Sequence, residues 1–451
     1  MRDIAILLVF LSYMCVGALV PFGAALGYVW VDAFYPQAVS YGILRTVPVS
    51  LIMALIALLS YAVVDRRAPP RPNLHFALVA AMFLWVTLTA TWAVAPAAAW
   101  EKWDWAAKMV GFTAFIPFFF RSRVQIEAFL LTYMFAASLN ILPVGVKTMF
   151  GGGGYGLELG VIGGNSLLSE GSTLATAAIM FAPMLLWAGR HSVVLPEKLR
   201  LPGCAGYAGL GCLAAIGTYE RTALVALAVL AAGLWLRSRR KVLMIVALLV
   251  VGFGLSLATG KAWLDRMQTT TTLAADGGSA TTRLAVWAWT LDFVRDHPLG
   301  GGFNAYVVDV IHNKADNGEE VVQHGRAFHS SYFEVLGEQG YVGMLLFLAL
   351  IGRTFLSLQS VKRRARGVAE LAWAGTLAGA LQLSLLILMS GAAFVGIAFQ
   401  TMFWYLFAMG ECMRQHVRRA EEEGARRAVS EQRRAVTAGA AVGGMVTTRS
   451  V

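Results

Sequence analysis

The chain has 451 residues, of which 58% are hydrophobic and only 14% charged, with a mean hydropathy of +0.63. Charged residues make up about a quarter of an ordinary soluble protein, so the composition excludes one. The formal net charge of +11 then reads as loops facing an anionic lipid surface, with no nucleic-acid partner.

Apolar runs fall near residues 4–20, 46–64, 74–94, 103–120, 124–148, 171–189, 203–218, 222–236, 242–258, 341–360, 368–389 and 393–412. Many have the length of a membrane-spanning helix, and the ten-residue alternation of a transmembrane barrel is missing. The first run, "IAILLVFLSYMCVGALV", has only Arg2 as a basic flank and no small-x-small cleavage pattern. It therefore reads as a retained helix. The expected fold is all-α: a polytopic integral membrane protein with about 12 transmembrane helices and a helical outer segment between the ninth and tenth. The units are 1–258, helices one to nine; 259–340, the outer segment; 341–412, the last three helices; and 413–451, a charged tail.

Loop charge sets the orientation. "DRRAPPRP", "RSR", "RHSVVLPEKLR", "RSRRK" and "KRRAR" belong on the cytoplasmic side. They alternate correctly if residues 21–45 stay outside as a short re-entrant or interfacial piece, not as a further span. Both termini are then cytoplasmic. The tail from Arg414 reads as a charged amphipathic helix, and "TAGAAVGGMVTTRSV" at its end as disordered.

The outer segment is too long to be structureless in a compact protein. One helix is expected over Thr281–Asp296, with Leu284, Trp287, Leu291 and Val294 at helical spacing and Thr281 or Thr282 as N-cap. Pro298 and the glycines of "HPLGGG" stop it. A second opens in "RAFHSSYFEVLGEQGYVG", with Phe328, Tyr332, Val335 and Leu336 on one side. Between them "HNKADNGEEVVQHGRAF" reads as a polar loop. "GGGGYGLELGVIGGNSLLSEG" reads as flexible backbone near a site, without a phosphate-loop pattern.

Some cations sit where cations are costly. Arg221 occupies a short turn between two apolar runs, at or slightly inside the outer membrane surface. It either pairs with Glu220, snorkels to headgroups, or serves a function. Arg283 opens the outer helix, as a solvated residue or a ligand. Lys108 lies among Trp100, Trp103 and Trp105, an interface belt toward which it would snorkel. His75, His191 and His416 read as ordinary cytoplasmic surface residues. His312, His324 and His329 lack zinc-site spacing, so no metal is expected. His297 suits a helix C-terminus. His329 stands at a helix start, where the dipole disfavours its cation. It is either a polar helix-start residue or a neutral imidazole able to take a proton. The four cysteines (Cys15, Cys204, Cys212 and Cys412) lie in or beside apolar runs and read as small buried hydrophobes.

"GTYERTALVAL", "TTRLAVWAWTLDFVRDHPLGGGFNAY" and "HSSYFEVLGEQGYVG", in this order, resemble the motifs of the O-antigen ligase and polymerase superfamily of membrane glycosyltransferases. The resemblance covers most of residues 75–410. "TYER" replaces the commoner Ser-Arg turn of that family, and "GGGFN" its commoner Gly-x-Gly. The resemblance implies a bacterial inner-membrane enzyme with a periplasmic site and no cofactor. Its implied partners are an undecaprenyl-pyrophosphate-linked glycan, a lipid A–core acceptor and the membrane lipids. It makes Arg221 and Arg283 ligands of the donor pyrophosphate and His329 the acid–base residue, with Lys108, His297 and Arg326 as lesser candidates. A polymerase, a protein O-oligosaccharyltransferase and a lipid-linked oligosaccharide flippase are the alternatives. No internal repeat and no cations inside the bundle favour the flippase.

Overall fold

The computed structural model describes residues 2–151, 168, 170–246, 249, 252, 279–314 and 320–446. It is a helical bundle with a small second layer at one end. The helices are α1 (Arg2–Leu19), α2 (Pro21–Phe34), α3 (Pro36–Val39), α4 (Val49–Val64), α5 (Leu74–Thr91), α6 (Pro96–Phe119), α7 (Arg123–Gly151), α8 (Gly171–His191), α9 (Glu197–Gly217), α10 (Arg221–Arg237), α11 (Ser279–Asp296), α12 (Ser331–Arg364), α13 (Ala372–Ala392) and α14 (Thr401–Val446). Among the described residues, 7 helices are long and apolar enough to cross a membrane by length and composition. With the O-antigen ligase-type motifs these make the chain an all-α membrane protein. Most of the expected run at 242–258, and most of the glycine-rich stretch before α8, lie outside the described residues.

The centre of the bundle is α8, which is buried along almost its whole length and packs against α9, α10 and α13. Buried alanines on α8 (Ala175, Ala178, Ala182) let neighbouring backbones come close. The α2 helix has 14 residues, about 21 Å at 1.5 Å per residue, which is short of the roughly 30 Å hydrocarbon thickness. It packs between α1, α4 and α7 with one face wholly apolar.

Several expectations are corrected. The stretch expected as a polar loop carries an antiparallel β-hairpin, β1 (Val310–Lys314) paired with β2 (Glu320–His324), with Val310 opposite His324. Its valines and isoleucine at spaced positions suit a strand. Ile311 joins Val286, Ala305 and Phe328 in a small core separate from that of the bundle. The α11 helix starts at Ser279, so neither Thr281 nor Thr282 caps it. Its buried row is Val286, Thr290 and Val294, while Leu284 and Leu291 are exposed. Trp287, beside that row, stacks on Phe333 near the start of α12 at 4.9 Å between ring centroids. The last apolar run becomes helical only at Thr401, and Ala393–Gln400 form a loop. His75 is buried at the start of α5, not a surface residue, and Cys15 is exposed where burial was expected. The expected disordered end is helical to Val446, continuing α14 through alanine-rich sequence.

Candidate functional site

The N-terminal ends of α6, α8 and α12 surround a cavity of about 540 Å³ together with the loops at 304–306 and 395–400. Its floor is an ion-pair cluster. Lys102 Nζ lies 2.6 Å from Glu334 Oε1 and 2.8 Å from Glu338 Oε1. Glu334 and Glu338 are four apart on one helix, where two like charges destabilise. The lysine from α6 offsets that repulsion. Each carboxylate also accepts a backbone donor: Ala398 N–H for Glu334 at 3.1 Å, and Asn304 N–H for Glu338 at 2.9 Å. The floor therefore fixes α6, α12 and both loops at once.

A break in α12 places Glu338. Gly340 has φ 63° and ψ −166°, a conformation open to glycine. The break frees the carbonyls of Gly337 and Glu338, which accept from Gly301 and Gly302 N–H at 3.0 and 2.9 Å. Tyr341 N–H in turn donates to Pro298 O at 3.0 Å. A Cβ on Gly340 would lie 2.3 Å from Pro298 O, and one on Gly300 2.5 Å from Glu338 O. The "HPLGGG" and "GEQG" glycines are thus two halves of one backbone contact.

His329 lies on the cavity wall two residues before the first residue of α12. Its φ is +48°, an uncommon conformation for a residue with a side chain. Among the described residues the other non-glycine cases are Tyr35, Tyr219 and Asn304. Asn304 lines the same cavity, and Tyr219 belongs to the turn that carries Arg221. Trp287 Nε1 donates to Phe328 O at 2.9 Å and so holds the backbone just ahead of His329. Arg283 sits one turn before Trp287 on the same face of α11. Partial burial pushes the His329 pKa below the usual imidazole value, and the Arg283 charge lowers it further; Glu170 opposes and Arg326 adds. The direction matches the expectation, but desolvation and Arg283 carry it, not a helix end.

Arg221 is the first residue of α10, preceded by Glu220. A cation there is opposed by the helix dipole. It is half-buried and forms no ion pair among the described residues. It does not line the cavity. Its turn abuts the start of α8, where Thr222 Oγ1 and Ser172 Oγ are 3.4 Å apart and Glu220 lies against Gly171. Glu170, the residue before Gly171, lines the cavity and caps α8 by accepting from Thr173 N–H at 2.8 Å.

The remaining candidates stand apart. Lys108 pairs with Asp104 at 2.7 Å, away from the cavity. His297 stacks on Phe293 with centroids 4.3 Å apart. Arg326 donates its backbone N–H to Asp309 and its Nε to Gln323. Among the described residues no group of three His, Cys, Asp or Glu is placed to hold a metal ion. Sequence reasoning missed Lys102 and Gln400. The Glu334/Glu338 pair in a segment entering the membrane was the available signal, because it calls for a cation from elsewhere. Gln400, on the cavity wall, has its Oε1 buried without a partner among the described residues.

Residues 1–193 match the model of a family of unknown function (DUF5935). Residues 206–348 match the model described as O-antigen ligase. No curated protein matches the chain. The ligase match runs from α9 into α12 and takes in Arg221, Arg283 and His329. Over this region, about a third of its length, the chain is similar to the O-antigen ligase family.

Proposed function

We propose that the protein is an O-antigen ligase of the bacterial inner membrane, moving a polysaccharide en bloc from undecaprenyl pyrophosphate to a lipid A–core sugar at the periplasmic face. The similarity of residues 206–348 to the O-antigen ligase family supports the general statement, a glycosyltransferase-like enzyme acting on a lipid-linked glycan with a lipid acceptor. The single observation that carries the finer reading is the setting of His329: on a cavity wall, partly desolvated, with the Arg283 charge beside it.

In this reading the neutral His329 imidazole accepts the proton of the acceptor hydroxyl. The oxygen attacks the anomeric carbon of the donor sugar as the bond from that carbon to the pyrophosphate oxygen breaks. The pyrophosphate leaves on its lipid, and the proton passes from His329 to solvent. Arg221 and Arg283 meet the charge that develops on the leaving group, a role suited to bidentate guanidinium forks and not dependent on a metal. In-line attack inverts the anomeric configuration. The cavity floor places two carboxylates against one ammonium, so a diphosphate belongs at the arginine rim and sugar hydroxyls belong over the floor. Gln400 Oε1 is a free acceptor for one of them.

The test is a reaction of purified protein with undecaprenyl-pyrophosphate glycan and rough lipopolysaccharide. Ligated lipopolysaccharide is the expected product. Glycan extension, or glycosylation of an added serine-rich protein, with lipopolysaccharide left untouched would reassign the acceptor and overturn the ligase reading.

A further inference from the structure

The end of the bundle opposite the cavity holds a second polar feature. Along α12, Arg353 and Arg364 follow Glu338 by about 22 and 39 Å of helix rise. Arg121 sits just beyond the far end of α6, and Arg414, Arg418 and Arg419 lie well down α14. Two cavities open here, of about 190 and 500 Å³, and they share Arg414 and Arg418 as a common wall.

Three glutamates serve this cluster. Glu411 lies 2.7 Å from Arg414 and 3.8 Å from Arg353. Glu422 takes Arg418 at 3.0 Å and Arg71 at 3.3 Å, and Glu421 takes Arg364 at 2.6 Å. That leaves Arg121 and Arg419 with no carboxylate in ion-pair distance among the described residues. Arg121 Nη2 donates to Ala68 O at 2.8 Å, and Arg419 Nη2 donates to the carbonyl of Arg121 itself at 2.8 Å. Arg121 Nη1 is buried with no hydrogen-bond partner among the described residues. Burial lowers the pKa of both guanidiniums, and like charges lower it further, Arg67 acting on Arg121 and Arg121 on Arg419. A partly buried cation with an idle donor beside a second cation is electrostatically incomplete.

The outer face of α12 indicates the ligand. Leu345, Leu348 and Leu356 are 69%, 46% and 64% exposed, and Gly352 between them has nothing within 4 Å of a Cβ position. At spacings of three and four they form one apolar stripe, and Leu356 is also part of the wall of the larger cavity.

We propose that the smaller of these arginine-walled cavities, which Arg121 and Arg419 line, is a binding site for a phosphate group held by those two residues, and that the phosphate is the headgroup of an anionic membrane lipid whose chain lies along the α12 stripe beside the larger cavity. Basic pockets between helices at a membrane surface bind such headgroups. The site is far from the sugar cavity and does not depend on the ligase reading.

The experiment titrates the full-length protein in neutral detergent with phosphatidylglycerol, phosphatidylcholine or inorganic phosphate, and counts bound ligand by native mass spectrometry. Phosphatidylglycerol should bind in preference to phosphatidylcholine, and the Arg121→Gln/Arg419→Gln protein should bind it about thirtyfold more weakly, at roughly 1 kcal/mol for each of the two basic residues near the surface. If that variant is not monodisperse, Arg71→Gln/Arg418→Gln, at the exposed rim, replaces it with the same expectation. Binding of inorganic phosphate that is equally sensitive to the arginines would support the phosphate site and overturn the lipid source. Equal binding of both lipids, or binding unaffected by the arginine variants, would overturn the site.

Discussion

An imidazole that must take a proton has to be uncharged when its substrate arrives. Burial and the Arg283 charge lower the His329 pKa, so the neutral form dominates above about pH 6.5, the unperturbed value. The sign follows: activity through this group should fall as pH drops through its lowered pKa and should not depend on it at higher pH. A ligation rate that rose on acidification below that value would contradict the base role. His329→Ala should cut single-turnover rate by about 10²–10⁴ while leaving donor affinity nearly unchanged, and a folded variant working at wild-type rate would end the assignment. Arg221→Ala and Arg283→Ala should weaken both donor affinity and turnover. Lysine at either place should restore little, because a point charge does not replace a planar fork; full rescue by lysine would argue against bidentate phosphate contact. Residues 283 and 329 were legible because each stands in a motif of fixed spacing. The choice of Lys108 over Lys102 shows the limit. Both lie in "WEKWDWAAKMVGF", and only the face of α6 that meets α12 decides between them. One sequence does not reveal which face that is.

At the scale of elements, the N-terminal ends of α6 and α12 are joined through charge. Lys102 and Glu334 have side chains 9% exposed and Glu338 0%, so the cluster is desolvated and its parts depend on one another. Removing one partner of a buried pair typically costs about 3–5 kcal/mol, because the other charge is left uncompensated. Lys102→Met should lower stability by that order, read as a lower unfolding temperature in detergent. Adding Glu334→Gln and Glu338→Gln should restore most of it, since the amides still accept from Ala398 and Asn304. A triple variant as unstable as the single one would mean that packing of the lysine stem, and not charge, holds this junction. The pattern of apolar runs located most helices. It put a boundary between 340 and 341, where the break at Gly340 falls, and missed the start of α14 at Thr401, because a helix start inside apolar sequence leaves no composition signal. The β-hairpin was hidden for a different reason: its strands are short and bounded by polar residues, and their burial depends on Phe328 and Val286 from distant parts of the chain.

For the whole molecule, the structure separates two polar ends by the length of the membrane helices. One holds the cavity and His329, the other the arginine cluster around α14. Composition alone indicated a membrane protein, since apolar length is a local property. Orientation is not contained in the coordinates, because a bundle has the same internal contacts either way up; it rests on the excess of Lys and Arg in one set of loops. That argument puts the arginine-rich end in the cytoplasm and the cavity outside. The measurement is labelling of single introduced cysteines in intact spheroplasts with a membrane-impermeant thiol reagent, in a background with Cys15 replaced, since that thiol is exposed. Cysteines at Gly154 and Asn317 should react, and cysteines at Pro70 and Ser238 should react only after lysis. The reverse pattern would place the cavity in the cytoplasm. A periplasmic ligation reaction at His329 would then be untenable, whatever the chemistry of the residues around it.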